Sequence, residues 1–168
     1  MTKSSGASGV VFIHSAPKAL CTHIEWTLGG VLGATVHLDW VDQPVLPGAM
    51  RSELSWTGNP GLSADITSRL RAYPNLRFEV TEEPSSGFDG QRYVSTPTLG
   101  LWQSPMGAFG EVHIPEEKLR HAVSDAVTKG ESLLEAIDLV LGSAWDRELE
   151  PFRYAGDGVP VRWLHQVS

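Results

Sequence analysis

Cysteine, long apolar runs and clusters of basic residues are all scarce in this chain of 168 residues. The single cysteine, Cys21, excludes an internal disulfide and suits a reducing compartment. The first nine residues hold one lysine and no apolar run, which is unlike a signal peptide. No apolar stretch approaches membrane-spanning length. We therefore expect a cytoplasmic protein with no membrane partner.

Basic residues are also fewer than acidic residues. The chain has 13 Lys and Arg residues and 20 Asp and Glu residues, which gives a formal net charge of −7. Nucleic-acid binding needs a basic surface, so no nucleic-acid partner is predicted. The six histidines stand singly, without the spacing of a metal site. The glycine-rich stretch 29–33 is expected to end a helix rather than to hold phosphate. Neither a cofactor nor a metal is predicted.

The apolar patterns that are present indicate one α+β domain. They predict, in order, a strand at 10–13, a helix starting near Ser15 and Pro17, strands at 35–41 and 50–56 joined as a hairpin, a helix ending near Pro74, and a strand at 76–80. This β-α-β-β-α-β order is that of the ferredoxin-like fold, in which both helices cover one face of an antiparallel sheet.

The domain boundaries follow from the same patterns. We expect residues 1–9 to be a disordered tail, residues 10–168 to form a single domain, residues 10–82 to be its ferredoxin-like core, and residues 83–168 to be an extension packed on that core. In the extension we predict strands at 92–95, 99–103 and 109–114, a helix from Pro115 to Gly130, and a second helix from Leu133 towards Trp145.

One face of a ferredoxin-like sheet carries no helix, and the alternating strands place polar and charged side chains on it. Solvated ion pairs between neighbouring strands are one interpretation. A polar binding surface roofed by the extension is the other. The residues on this face are His37, Asp39, Arg51, Glu53, Arg77 and Glu79.

Two further groups are candidates for a site. His14 follows the first strand at the start of a predicted helix, where backbone N–H groups can hold an anion; the alternative is that it only orders the turn. Cys21 and His23 lie about 200° apart on a helix, which is a poor geometry for a shared metal or a nucleophile–base pair. Near the C-terminus, Arg and aromatic residues are concentrated, as in binding hot spots and at the borders of ordinary cores.

Several segments together resemble an actinobacterial family known only as a domain of unknown function. They are Phe12 to Cys21, Leu38 to Trp40, Arg51 to Trp56, Leu76 to Thr81, Ile114 to Glu116, and the run from Trp145 to Val167. The part of this run from Glu148 to Val167 is the most specific. The resemblance covers nearly the whole chain except the N-terminal tail. It implies no activity, cofactor or catalytic residue. Members of that family lie beside fatty-acid synthesis genes, which implies a role near acyl-chain metabolism.

Three functions are compatible with these patterns. The first is a non-catalytic binding or regulatory protein that engages a protein partner or a small anionic ligand. The second is a small enzyme with a His/carboxylate acid–base pair, either His37 with Asp39 or Glu53, or His14 with a residue of the extension. The third is a homo-oligomeric structural subunit joined through apolar surface near Trp102 or Trp163. The predicted site residues are His14, His37, Asp39, Arg51, Glu53, Arg153, Tyr154, Arg162, Trp163 and His165.

Overall fold

Residues 6–155 form one six-stranded antiparallel sheet with helices on both faces. The computed structural model describes residues 6–155. The strands are β1 (Ala7–Pro17), β2 (Val41–Asp42), β3 (Ala49–Gly58), β4 (Arg77–Glu82), β5 (Gly90–Thr96) and β6 (Gly100–Met106). The helices are α1 (Cys21–Leu32), α2 (Leu62–Leu70), α3 (Glu116–Lys129), α4 (Leu133–Leu141) and α5 (Ser143–Tyr154). The strands lie in the order β2-β3-β1-β4-β5-β6, and neighbouring strands are antiparallel.

Helices α1 and α2 cover one face of the sheet because each carries an apolar stripe. Ile24 and Leu28 lie one turn apart on α1, and Ile66 and Leu70 repeat this spacing on α2. All four are fully buried, which contributes about 1.5–3 kcal/mol for each side chain. Alternation along β1 and β4 turns four apolar side chains towards these helices: Val11, Ile13, Phe78 and Val80.

Helix α5 covers part of the opposite face. Its side chains Trp145, Leu149 and Phe152 are buried and recur at i, i+4 and i+7, on one side of the helix. Trp145 and Leu149 form a second core with Val94 of β5 and Trp102 of β6. The sheet is therefore packed on both faces where α5 lies across it.

The elements from β1 to β4 follow one another in the predicted order, but some boundaries differ. β1 begins at Ala7, which pairs with Gly58, so residues 7–9 belong to the sheet rather than to a tail. Residues 1–5 of that tail lie outside the described part. β1 continues to Pro17, and α1 starts at Cys21 after a short 3₁₀ turn. Ser15 therefore does not cap the first helix.

Most of the strand predicted at 35–41 is absent, and the hairpin shrinks to two residue pairs between β2 and β3. The backbone N–H of Leu38 donates to Oε1 of Glu25 at 2.8 Å, and the indole N–H of Trp40 donates to the same oxygen at 3.1 Å. These contacts tie residues 38–40 to α1, and residues 35–40 form no strand ladder with β3.

The extension confirms some predictions and corrects others. Helix α3 begins after Pro115 and ends at Gly130, as predicted. The strand predicted at 109–114 is wrong, because only one isolated bridge joins Met106 to Val112. The helix predicted from Leu133 is confirmed as α4, but it ends at Leu141 and does not reach Trp145. Gly142, with φ of 78°, ends α4, and α5 starts at the next residue.

Candidate functional site

A buried carboxylate, Glu79, lies at the centre of the sheet face that α5 covers. It sits on β4 between Phe12 of β1 and Val94 of β5, and its side chain is 0% exposed. Phe78 and Val80 point towards α1 and α2, so the side chain of Glu79 points towards α5. A charge in such a place is costly unless it is paired and hydrogen-bonded.

Three cationic or titratable side chains surround Glu79. Nε2 of His14 lies 2.8 Å from Oε1, and Nη2 of Arg92 lies 3.1 Å from Oε2. Nε and Nη2 of Arg153 donate to Oε1 at 2.8 and 2.6 Å. Both carboxylate oxygens are therefore satisfied by donors from three separate segments of the chain: β1, β5 and α5.

These partners keep Glu79 ionised. Burial alone raises the pKa of this carboxyl. The hydrogen bond with His14 and the charges of Arg92 and Arg153 act in the other direction and prevail, so the pKa of Glu79 lies far below its ordinary value. An ionised carboxylate only accepts hydrogen bonds, so Nε2 of His14 carries the proton in this contact.

A second carboxylate, Asp146 of α5, completes the cluster. Its Oδ1 accepts from Nη2 of Arg92 at 2.8 Å and from Nη2 of Arg153 at 3.0 Å. Burial lowers the pKa of the Arg92 guanidinium, but Glu79 and Asp146 raise it by more, so it stays charged. Two carboxylates thus balance two guanidiniums. We call Glu79, His14, Arg92, Asp146 and Arg153 the Glu79 network.

A smaller ion pair fixes α5 at its other edge. Nε of Arg77 lies 3.3 Å from Oε1 of Glu148, and Oγ1 of Thr96 donates to Oε2 of Glu148 at 2.9 Å. The guanidinium of Arg77 also stacks over the ring of Phe152, 4.7 Å from its centroid. The predicted solvated lattice is therefore wrong for Arg77 and Glu79, since α5 covers both.

A bulge in β1 at His14 helps to shape the network. The pairing of β1 with both of its neighbours shifts register just after Ile13, which is the signature of a β-bulge. The backbone carbonyl of His14 accepts from Nε2 of Gln43 at 2.7 Å, and the same Gln43 nitrogen lies 3.3 Å from the carbonyl of Phe152. Gln43 is 2% exposed, and it ties the bulge to α5.

A cavity of about 260 Å³ opens beside the network, between β1, β2 and β3 on one side and the end of α5 on the other. We call it the β1–β3 cavity. Its apolar lining includes Phe12, Val41 and Phe152, and its charged or polar lining includes His14, Asp39, Arg51, Glu53 and Arg153.

The charged side chains that line this cavity differ in whether they already have an ion-pair partner. Arg153 is committed to Glu79 and Asp146. Arg51, Asp39 and Glu53, in contrast, make no side-chain hydrogen bond or ion pair with any other residue between 6 and 155. Arg51 is half-buried. The cavity wall therefore presents one guanidinium and two carboxylates that have no ion-pair partner among residues 6–155.

Five of the ten predicted site residues come together in this cavity: His14, Asp39, Arg51, Glu53 and Arg153. His37 does not, because it lines a different depression beside α1 with Trp26 and Gly33. Tyr154 is exposed at the end of α5 and does not line the cavity. Arg162, Trp163 and His165 lie outside the described residues.

Sequence reasoning missed three members of the network. It placed Glu79 on the sheet face but not in the site, and it did not single out Arg92 or Asp146. The signal for Glu79 is its position between Phe78 and Val80 in a strand with apolar neighbours. The signal for Asp146 is its spacing of seven residues, two helical turns, from Arg153. Arg92 carries no comparable local signal.

Two kinds of feature are absent from residues 6–155. No group of three or more His, Cys, Asp or Glu side chains there could hold a metal ion. None of the helices in that range combines the length and hydropathy that crossing a bilayer requires.

Comparison with known proteins identifies a family. The model of a family described as "Protein of unknown function (DUF3145)" matches residues 10–166. No curated protein and no solved structure matches the chain.

Proposed function

This chain belongs to the DUF3145 family, which has no assigned activity, and we propose that it is a non-catalytic binding protein whose β1–β3 cavity takes a small anionic ligand. One observation carries the proposal. Arg51 places a half-buried guanidinium on the cavity wall without an ion-pair partner among residues 6–155. A partly desolvated guanidinium binds a carboxylate strongly and in a defined geometry.

The cavity lining also limits the kind of anion. Its volume of about 260 Å³ is just below the roughly 300 Å³ at which typical ligand pockets begin, so the ligand is small. Phe12, Val41 and Phe152 supply apolar surface. Asp39 and Glu53 repel a multiply charged group. We therefore favour a short carboxylate with an apolar tail, which is consistent with a role near acyl-chain metabolism.

Hexanoate tests the charge requirement against two molecules of nearly equal size, hexan-1-ol and hexylamine. Calorimetric or NMR titration of the full chain should show hexanoate binding at least tenfold more tightly than either, because a hydrogen-bonded charge pair contributes about 1.5–3 kcal/mol. Arg51→Gln should remove this preference. Arg120→Gln is the matched control, since Arg120 is exposed on α3 and its only ion-pair partner among residues 6–155 is Glu116.

The titrations separate the outcomes cleanly. Equal hexanoate affinity in the wild type and in Arg51→Gln would remove Arg51 from the site. A protein partner that presents a carboxylate is the alternative occupant of the cavity. In that case free hexanoate would fail to bind, while Arg51→Gln would still weaken capture of the partner.

An enzyme is the second candidate, and the contact between His14 and Glu79 favours it. A histidine that lines a cavity and lies 2.8 Å from a buried carboxylate has the arrangement of an oriented general base. Glu79 would fix Nε2–H, leaving Nδ1 to take a proton from an attacking water. The carboxylate comes from β4, not from the extension as the sequence suggested.

Hydrolysis of p-nitrophenyl hexanoate tests the enzyme candidate. If His14 acts as a base, the full chain should release p-nitrophenol and hexanoate faster than buffer does, and His14→Gln should abolish the excess. His113→Gln is the matched control, because His113 also contacts a carboxylate, Glu111, but is exposed. Equal rates in wild type and His14→Gln would exclude His14 as the base and count against the enzyme candidate.

A homo-oligomeric subunit is the third candidate. Trp102, named as a possible contact from the sequence, is 4% exposed and so cannot form the interface. Helices α3 and α4 instead expose a group of apolar side chains: Val127, Leu133, Leu134, Leu139 and Leu141. If these join two copies, light scattering should give a dimer mass that falls to the monomer mass in Leu134→Gln.

We also propose that residues 10–82 form a ferredoxin-like core and that the protein acts in the cytoplasm. The strand order β4-β1-β3-β2 within the sheet and the position of α1 and α2 on one face support the first statement. The single cysteine supports the second.

A further inference from the structure

The register of the sheet arranges the lining of the β1–β3 cavity in two neighbouring rows. Phe12 of β1 pairs with Glu53 of β3, and the same antiparallel register places His14 in the row of Arg51. The rings of Phe12 and His14 are stacked with their centroids 6.1 Å apart, so both lie on the face that lines the cavity. Side chains two positions apart on one strand are separated by about 7 Å. Arg51 and Glu53 therefore occupy different ends of the cavity wall.

A second carboxylate, Asp39, lies at the Glu53 end. Val41 pairs with Arg51 in antiparallel fashion, so the chain that precedes Val41 runs towards Glu53. The backbone oxygen of Asp39 accepts from Oγ of Ser52 at 2.9 Å, which holds Asp39 beside β3. Both carboxylate side chains line the cavity, both residues are exposed, and neither has an ion-pair partner among residues 6–155. Like charges on neighbouring strands repel each other, so this end of the cavity favours a cationic group.

The opposite end of the cavity holds the guanidinium groups. Arg153 and His14 both contact Oε1 of Glu79, so the end of α5 brings Arg153 to the row that His14 shares with Arg51. Arg153 is balanced by Glu79 and Asp146. Arg51 is half-buried and has no such partner among residues 6–155. This end therefore favours a carboxylate, and the cavity as a whole is complementary to a ligand with one charge of each sign.

The spacing of the two rows limits how far apart those charges lie on the ligand. A hydrogen bond to each end takes up about 2.9 Å. Two such bonds leave little of the roughly 7 Å between the rows, so the two charged groups are carried by adjacent carbon atoms. An α-amino acid has this arrangement, because its ammonium and its carboxylate share one carbon.

We propose that the β1–β3 cavity binds an α-amino acid with an apolar side chain. Its carboxylate pairs with Arg51, its ammonium lies between Asp39 and Glu53, and its side chain packs on the apolar lining. The inference rests on the proposed function, since Arg51 holds the carboxylate of the ligand in both. Exposed ion pairs contribute less than half-buried ones, so hexanoate, which reaches Arg51 alone, still binds more tightly than hexylamine.

Three ligands of nearly equal length test the proposal in calorimetric or NMR titrations of the full chain at pH 7. L-2-Aminohexanoate adds an α-ammonium to hexanoate, and 6-aminohexanoate carries the ammonium at the far end of the chain. L-2-Aminohexanoate should bind at least fivefold more tightly than hexanoate, because its ammonium gains two exposed ion pairs. It should exceed 6-aminohexanoate by at least the same factor. If hexanoate or 6-aminohexanoate binds as tightly as L-2-aminohexanoate, the proposal is overturned.

A double variant identifies the carboxylates that hold the ammonium. Asp39→Asn combined with Glu53→Gln should abolish the preference for L-2-aminohexanoate and leave hexanoate bound at least as tightly as in the wild type. Glu117→Gln combined with Glu131→Gln is the matched control, because both residues are exposed and neither lines the cavity. This control changes the net charge equally and should keep the preference.

The outcomes distinguish this proposal from the proposed function. A preference for L-2-aminohexanoate that survives in the Asp39→Asn, Glu53→Gln variant overturns the placement of the ammonium. Binding of hexanoate without any gain from the α-ammonium overturns the amino-acid ligand and leaves the carboxylate site at Arg51 intact. If neither hexanoate nor L-2-aminohexanoate binds, both proposals fail. The comparison of ligands on the wild type decides the question even if the double variant does not fold.

Discussion

Arg153 donates two hydrogen bonds to a single oxygen of Glu79, which lies 74 positions earlier in the chain, from Nε at 2.8 Å and from Nη2 at 2.6 Å. The contact joins the last described helix to a central strand. It therefore fixes the position of α5 over the sheet, and with it the position of Phe152 and Arg153 at the cavity. The stability of the domain and the shape of its candidate site depend on the same charge cluster.

Glu79→Gln should destabilise the protein by about 3–5 kcal/mol, because it leaves buried guanidiniums short of their counter-charge. Glutamine keeps the size of the side chain but presents an NH₂ group to donors that already face Glu79. Urea unfolding followed by tryptophan fluorescence measures the change. Glu53→Gln is the matched control, since Glu53 is exposed on β3, and it should stay within about 0.5 kcal/mol. Similar losses in the two variants would contradict the assignment.

The low pKa of Glu79 predicts an acid dependence of stability. Its folded-state pKa lies below the ordinary value of 4.5, so the unfolded chain binds the proton first. The stabilisation is fully present above that value and is lost as the pH falls below it. Unfolding free energies measured between pH 3 and pH 7 should fall by up to about 1.4 kcal/mol per pH unit in this acid range. The same series on Glu79→Gln should lack this component, and parallel pH curves for the two proteins would refute the prediction.

The sequence predicted the order of elements up to β4 because each element there carries its own apolar pattern. Ile24 and Leu28 on α1, and Phe78 and Val80 on β4, repeat at the spacing of the structure that they form. Most of the strand predicted at 35–41 is absent, and Leu38 and Trp40 instead donate to Glu25, which lies 13 and 15 positions earlier. Contacts of that kind leave no trace in a local pattern.

Helix α5 and the Glu79 network were harder to foresee. Pro151 and several charged residues interrupt the apolar stripe of Trp145, Leu149 and Phe152, which makes its helical spacing hard to recognise in the sequence. The break between α4 and α5 depends on the positive φ of a single glycine, Gly142. The charges of the network come from β1, β4, β5 and α5, and only the tertiary fold brings them together. Alternation along β3 placed Arg51 and Glu53 on one strand face, and both line the cavity.

Gly142→Ala should separate backbone strain from crowding. At φ of 78°, alanine costs about 1–2 kcal/mol. A Cβ at Gly142 would also lie 2.7 Å from Cε2 of Trp102, and relieving that overlap should cost a further 1–3 kcal/mol or so. Gly130→Ala is the matched control, because Gly130 has φ of 68° and nothing within 4 Å of its added Cβ. Thermal and urea unfolding of both variants measure the difference in their free energies of unfolding. Equal losses of stability would show that the Trp102 side chain can move aside at little cost.

Leu149→Ala tests whether α5 is held by its apolar side as well as by its charges. Leu149 is 0% exposed and packs against Val94 and Trp102, so removing its side chain should cost about 2–5 kcal/mol. Leu46→Ala, the same change at a residue 41% exposed in the β2–β3 loop, should cost less than about 1 kcal/mol. Hydrogen exchange adds a positional readout. In Leu149→Ala the amides of β5 should exchange faster while those of α1 and α2 keep their rates, because only the second core is loosened. A uniform increase in exchange rates across the sheet and both helix layers would instead mean that α5 and the first core unfold as one unit. In that case the Glu79 network alone would not hold α5 in place.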